Sequence, residues 1–141
     1  MDAVLTLTDA PTPEQQRVID SGLARFNAEQ AGYSDSRDLA ILVSDPATQQ
    51  VVGGLLGRTS LGILFVDLFY LPDALRGQQL GSRVLAAAED EARRRGCSAA
   101  VLYTISFQAP GFYERQGYRA FGTIACDPPG TSRVFMAKPL K

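Results

Sequence analysis

The chain contains no histidine. That absence excludes a Ser-His-Asp triad or a Cys-His pair in their usual forms, because both use an imidazole to carry the proton. It also removes the commonest zinc ligand, and the two cysteines, Cys97 and Cys126, cannot close a structural zinc site by themselves. No metal is expected. Two cysteines are too few for a disulfide framework, so both read as reduced, structural thiols. No apolar run reaches the length of a membrane span, and the start Met1-Asp2-Ala3 lacks a basic, apolar-cored leader. A surplus of either charge is missing as well. Lys plus Arg number 14 and Asp plus Glu 15, a net charge of −1, which favours neither nucleic acid nor an anionic membrane as partner. A cytoplasmic protein is expected, whose proton transfers fall to Asp, Glu, Lys, Tyr, a chain terminus or water.

What is present is enough for one hydrophobic core: 141 residues, of which 45% are apolar. No repeat, low-complexity tract or linker interrupts the chain, so one domain is expected over residues 1–141. Val4 to Leu7 alternates and reads as a short strand. Thr12-Pro13-Glu14-Gln15 combines an N-cap, a proline at the first helical position and a glutamine three residues after the cap. Val18, Ile19, Leu23 and Phe26 follow at helical spacing, which predicts a helix to about Ala31, with a break at Gly22 allowed. Leu39 to Val43 and Val51 to Leu56 form a hairpin about the Asp45-Pro46-Ala47-Thr48 turn, and a second turn is expected from Gly57 to Gly62.

The longest apolar run, Ile63 to Leu71, is the next strand. Leu80 to Arg95 is the clearest helix, with Val84, Leu85 and Ala88 as its buried stripe and Gly96 as its C-cap. Glu89/Arg93, Asp90/Arg94 and Glu91/Arg95 read as i,i+4 pairs on its outer face. Ala99 to Ile105 is a strand, Pro110 to Gln116 a short helix, and Tyr118 to Ala125 with Arg133 to Ala137 a closing strand pair. The strands flanking the long helix should lie parallel, because a crossover joins them. The fold class is therefore α/β: a twisted mixed sheet of six to seven strands with helices on both faces.

The segment between the apolar strand and the long helix, Leu71-Pro72-Asp73-Ala74-Leu75-Arg76-Gly77-Gln78-Gln79-Leu80-Gly81-Ser82, is suited to an anion. Helix N-termini present unpaired N–H groups and partial positive charge. Gly77 and Gly81 permit close approach to the backbone, and Arg76 adds a cation. The loop matches neither a Walker P-loop nor a GxGxxG turn.

At these residues the chain resembles the GNAT superfamily of N-acetyltransferases, whose signature is [QR]-x-x-G-x-[GA] at this junction. Arg76 and Gly81 match, and Gln79 stands where the first signature glycine is usual. Downstream, Ala109, Tyr113 and Gly117-Tyr118 are similar to the family's A-x-x-x-Y-x-x-x-G-[FY] element, and Ser106 sits where many members carry Asn. The order of elements matches along nearly all of the chain.

The resemblance implies that backbone N–H groups of Arg76, Gly77, Gln78, Gln79, Leu80, Gly81 and Ser82 hold the pyrophosphate of acetyl-coenzyme A. It implies that Phe69, Tyr70 and Leu71 line the pantetheine arm, with an N–H near Leu71 polarising the thioester carbonyl, and that Ser106 belongs to the cofactor side. It implies transfer of the acetyl group to an amine by direct attack in a ternary complex, with Tyr113 protonating the departing thiolate. A phenol is chemically able to do so when held at hydrogen-bond distance. On the residues alone, Tyr113 could equally be an aromatic core residue.

Asp67 interrupts an apolar strand, so it either lines a pocket, where it would act as base or orient the substrate, or forms an ion pair, for example with Arg58. By alternation it shares a face with Phe65, Phe69 and Leu71. Arg58 and Arg133 are further acid-recognising candidates. A small-molecule amine is the expected acceptor, no nucleic acid or membrane is expected as partner, and a homodimer through the C-terminal strands is compatible with the pattern. A non-catalytic acyl-coenzyme A sensor on the same fold is the alternative, motivated by Gln79 and the undecided base.

Overall fold

Helix α1 spans Pro13–Ala31 and begins as the sequence demands. Thr12 Oγ1 accepts from Gln15 N at 3.1 Å while Gln15 Oε1 accepts from Thr12 N at 2.9 Å, a reciprocal capping box. The helix runs through Gly22 without a break and ends at Gly32, whose φ of +86° suits glycine. The computed structural model describes residues 2–141 and resolves into two compact units, one ending at Ser34 and one from Asp35 to Lys141. Val4 to Leu7 takes no regular structure. Four alternating residues supply a strand pattern, but a strand forms only where its backbone finds a ladder. Among the described residues α1 is therefore the first element, and the sheet has six strands.

The second unit contains β1 (Arg37–Ser44), β2 (Val51–Ser60), β3 (Ile63–Tyr70), α2 (Leu80–Arg94), β4 (Ala99–Ile105), α3 (Pro110–Arg115), β5 (Arg119–Cys126) and β6 (Thr131–Pro139). The strands lie in the order β1-β2-β3-β4-β6-β5. Only β3 and β4 are parallel, as the α2 crossover requires. β6 is interior, between β4 and β5, so the free edge at the C-terminal side of the sheet is β5.

The turn expected from Gly57 to Gly62 is shorter than that. β2 continues to Ser60 and only Leu61 and Gly62 turn. Gly57 serves the ladder instead. A Cβ there would meet Phe65 O at 2.3 Å, and Cβ atoms at Gly53 and Gly54 would meet Tyr70 O at 2.5 Å and Ile41 O at 2.1 Å. These three positions let β2 run tight between its neighbours, which no side chain would allow.

α2 packs its stripe of Val84, Leu85, Ala88 and Ala92 on Leu39, Leu55, Leu64, Ala100 and Met136. Its C-terminus is pinned by Arg95, whose guanidinium donates to Glu91 at 2.8 Å, to Asp38 O at 3.0 Å and to Thr59 Oγ1 at 3.1 Å. The outer-face pairs are Arg93 with Asp90, Arg94 with Glu91 and Arg95 with Glu91. The guanidiniums of Arg94 and Arg95 hold the Glu91 carboxyl below its usual range, Arg95 contributing most. Among the described residues neither the expected Glu89/Arg93 pair nor the expected Asp90/Arg94 pair forms, and of the three only Glu91/Arg95 does. Glu89 faces inward, 4% exposed, accepting from Tyr118 Oη at 2.7 Å and from Lys138 Nζ at 2.9 Å. At 3.6 residues per turn Glu89 follows Leu85 on the core side.

Candidate active site

The pairing of β3 with β4 stops early. It runs from Ile63↔Ala99 to Phe65↔Val101, and beyond that point the two strands part. The parting coincides with an irregularity at Asp67 on the other side of β3. Leu56 pairs with Leu68 but Gly57 pairs with Val66, so Asp67 is the extra residue of a β-bulge against β2. The bulge also switches sides. Leu64 and Val66 face α2 before it, and Phe69 and Leu71 return to the α2 side after it. Strict alternation would group Asp67 with Phe65, Phe69 and Leu71, and the bulge overturns that grouping. Asp67 instead meets Arg58 at 3.1 Å, and the Arg58 guanidinium lies 4.2 Å from the centroid of the Phe65 ring.

A cleft of about 660 Å³ lies beside the parting. Phe69, Tyr70, Leu71, Arg76, Gly77, Gln79, Leu80, Gly81, Ser82 and Tyr113 all line it. Gln78, Ser106 and Asp67 do not. Ser106 ties the end of β4 to the start of β6, exchanging hydrogen bonds with Ser132 at 2.8 and 3.0 Å. The lining also includes Thr104, Gln108, Phe112, Arg115 and Gln116, which sequence reasoning left out. Gln108 Oε1 accepts from Thr104 Oγ1 and from Ile105 N, and Gln116 Nε2 donates to Ser82 Oγ at 3.1 Å. Their only sequence signal was proximity to the Ala109–Tyr118 element. Among the described residues, two arginines and no carboxylate line the cleft.

The loop before α2 turns left-handed twice, at Gly77 (φ +84°) and at Gln79 (φ +59°). Gln79 is the N-cap of α2, and the first helical bond runs from Arg83 N to Gln79 O at 3.1 Å. Among the described residues, the N–H groups of Leu80, Gly81 and Ser82 have no backbone acceptor, so they point out of the helix end toward the cleft. Arg76 Nε donates to Leu71 O at 3.0 Å and its guanidinium pairs with Asp73 at 2.7 Å, bracing the loop. A Cβ at Gly81 would stand 3.3 Å from the Phe112 ring, so glycine here lets α3 close against α2.

Tyr113 projects from α3 into an aromatic wall, its ring centroid 5.1 Å from Phe112, 5.8 Å from Tyr118 and 6.4 Å from Phe69. Its hydroxyl has no hydrogen-bond partner among the described residues, and burial raises its pKa above the ordinary phenol value. The site thus combines outward N–H donors, two cations, an apolar floor and a protonated phenol.

Residues 4–118 match the model of the Acetyltransferase (GNAT) family. The chain belongs to that family. This GNAT chain is 37% identical to "Acetyltransferase Atu2258" of Agrobacterium fabrum over 132 residues, 94% of this chain and 96% of that protein. It is 42% identical to the Blasticidin-S acetyltransferase of Streptomyces morookaense over 92 residues, 64% of this chain and 68% of that one. The crystal structure of an acetyltransferase from Bacillus cereus superposes with a TM-score of 0.75 at 25% identity, covering 95% of this chain and 97% of that one. An aminoglycoside 6'-N-acetyltransferase complexed with coenzyme A shares the fold, with a TM-score of 0.63 at 17% identity over 99% and 98% of the two chains. Within the GNAT signature, the left-handed backbone at Gln79 explains why glycine is usual there: a residue with a Cβ takes that conformation only at a cost.

Proposed function

We propose that this acetyltransferase moves the acetyl group of acetyl-coenzyme A to the amine of a small molecule by direct attack in a ternary complex, as one domain over residues 1–141 working in the cytoplasm. The observation that carries the reading is the parting of β3 from β4 beside a carboxylate-free cleft that ends on Tyr113. Coenzyme A is what the aminoglycoside enzyme of the same fold holds.

In this reading the N–H groups of Gly77 and of Gln79 to Ser82 hold the diphosphate, with Arg76 and Arg115 supplying charge. Phe69 and Leu71 cover the pantetheine arm, and the strand backbone freed by the parting gives N–H donors near Leu71 for the developing oxyanion. Acetyl-coenzyme A supplies the activated thioester. Tyr113 gives its proton to the sulfur leaving group, and its raised pKa keeps it protonated through neutral pH. Asp67, bound to Arg58 on the opposite face, orients the amine, and water takes the amine's proton.

Calorimetric titration with acetyl-coenzyme A, paired with thiol release over a panel of small amines, tests this. Saturable binding with release is expected. Saturable binding without release from any amine would favour an acyl-coenzyme A sensor, and no saturation would overturn both.

A further inference from the structure

Three aromatic side chains and a bare cation stand on the sheet face opposite α2. Tyr103 lies between the inward-facing Leu102 and Thr104, so it points away from the core, and Phe135 is its cross-strand partner. Their ring centroids are 5.6 Å apart, and Phe121 lies 6.4 Å from Phe135. Tyr103 is 54% and Phe121 65% exposed. The Arg133 guanidinium sits 5.7 Å from the Tyr103 centroid. Among the described residues, no carboxylate lies within salt-bridge distance of it, whereas Arg58 on the same face is neutralised by Asp67.

The position of this group matters. Phe65 and Val101 are the last paired residues of β3 and β4. Two residues further on each strand stand Asp67 and Tyr103, on the two lips of the parting. On the α2 side of that gap lies the cleft assigned above to acetyl-coenzyme A. A second substrate that is to meet the thioester must come from the other face, past Asp67 on one lip and Tyr103 with Arg133 on the other. The remaining charges follow the same division. Asp38, Arg58 and Asp67 lie on the β1–β3 side. Arg119 and Arg133 lie on the β5–β6 side, with Arg119 level with Ala137 and Val101, behind the opening.

Resting on the acetyl-transfer reading, we infer that this face is the acceptor subsite, and that it selects an amine carrying a carboxylate on a planar or aromatic body. The carboxylate is taken by Arg133, the body lies against Tyr103 and Phe135, and the ammonium is turned toward Asp67 at the parting. An arginine without a carboxylate partner, within cation–π reach of a tyrosine, presents a planar fork of donors to a carboxylate beside an apolar ring. The platform of Tyr103, Phe135 and Phe121 offers broad apolar contact with little rotamer freedom to lose. An amine without the acid would gain nothing from Arg133, so the preference is for the acid.

The test uses matched amine pairs with and without the acid: 4-(aminomethyl)benzoate and benzylamine, tyrosine and tyramine, tryptophan and tryptamine. Thiol release is followed at saturating acetyl-coenzyme A, with acetyl-coenzyme A binding measured by calorimetry on the same samples. The acid-bearing member of at least one pair should show a kcat/KM at least tenfold above its partner. Arg133→Gln should erase that ratio through the acceptor KM, leaving acetyl-coenzyme A affinity unchanged. Tyr103→Leu should weaken both members together. Equal use of both members, use of neither, or a preference that survives Arg133→Gln overturns the inference. Loss of acetyl-coenzyme A binding in the unmodified protein would instead overturn the underlying acetyl-transfer reading.

Discussion

Tyr118 Oη donates a 2.7 Å hydrogen bond to Glu89 Oε2, joining the turn between α3 and β5 to the middle of α2. Lys138 Nζ closes the set at 2.9 Å from Oε1 and lies 5.7 Å from the Tyr118 ring centroid. Every polar atom in this buried group is satisfied among the described residues. Removing the carboxylate with Glu89→Ala strands both donors, and should cost about 2–4 kcal/mol in urea unfolding. Tyr118→Phe removes one donor only and should cost about 1–2 kcal/mol at neutral pH.

The same group sets an alkaline limit on stability. Burial first, then the charge of Glu89, pushes the Tyr118 hydroxyl far above the ordinary phenol range, and burial raises Tyr113. In each case the folded state holds its proton more tightly than the unfolded chain. The stabilisation is fully present below an unfolded tyrosine pKa of about 10 and is lost as pH rises from there through the folded values. Unfolding free energy should therefore fall on the alkaline side of about pH 10. Tyr118→Phe should flatten that slope, and equal slopes in the two proteins would remove Tyr118 as its source.

Tyr113→Phe keeps the aromatic wall and loses only the hydroxyl, which has no partner among the described residues. Its unfolding curve should match the parent's. Turnover should drop by about a hundredfold, with the KM for acetyl-coenzyme A little changed. In the parent, turnover should rise as the acceptor ammonium loses its proton and fall only in strong alkali as the phenol ionises. Undiminished turnover in the variant would remove Tyr113 from the chemistry.

Gln79→Gly should stabilise the fold by about 0.5–1 kcal/mol, because glycine takes the left-handed N-cap backbone without the Cβ clash. Gln79→Val should do the opposite. Affinity for acetyl-coenzyme A in Gln79→Gly should be equal or higher, read by calorimetry. A destabilised glycine variant would show that the glutamine side chain itself supports the loop.

Gly57→Ala should be among the most damaging single changes, at about 3 kcal/mol or more, because its Cβ would meet the backbone oxygen of Phe65 at 2.3 Å. Gly62→Ala makes a useful contrast. Nothing stands within 4 Å of its Cβ, and its cost comes only from a φ of +85°.

How far the chain could be read in advance depended on whether the signal was local. The α1 capping box, the α2 stripe and the limits of β4 were legible because periodicity and capping are properties of neighbouring residues. Most of the cleft was legible from the family resemblance, which assigned ten of its lining residues to the site. What escaped was set across strands. Nothing near Gly57 says that the oxygen of Phe65 presses on it, so it read as a turn. The bulge at Asp67 is a mismatch of two strands and has no pattern in either one, so alternation carried through it and grouped Asp67 with the cleft-lining Phe69. Glu89 read as an outer-face partner of Arg93 because its true partners, Tyr118 and Lys138, lie 29 and 49 residues away in sequence. Val4 to Leu7 failed in the opposite way, with a pattern but no ladder.

Since only three residue pairs stitch β3 to β4, the sheet behaves as two plates sharing a short seam. Occupancy of the gap would act as a wedge that also glues, bonding to the raw edge of each plate. Backbone amides from Asp67 to Leu71 should exchange with deuterium much faster in the empty protein than after loading. In the empty protein, heating should split the molecule along that seam first.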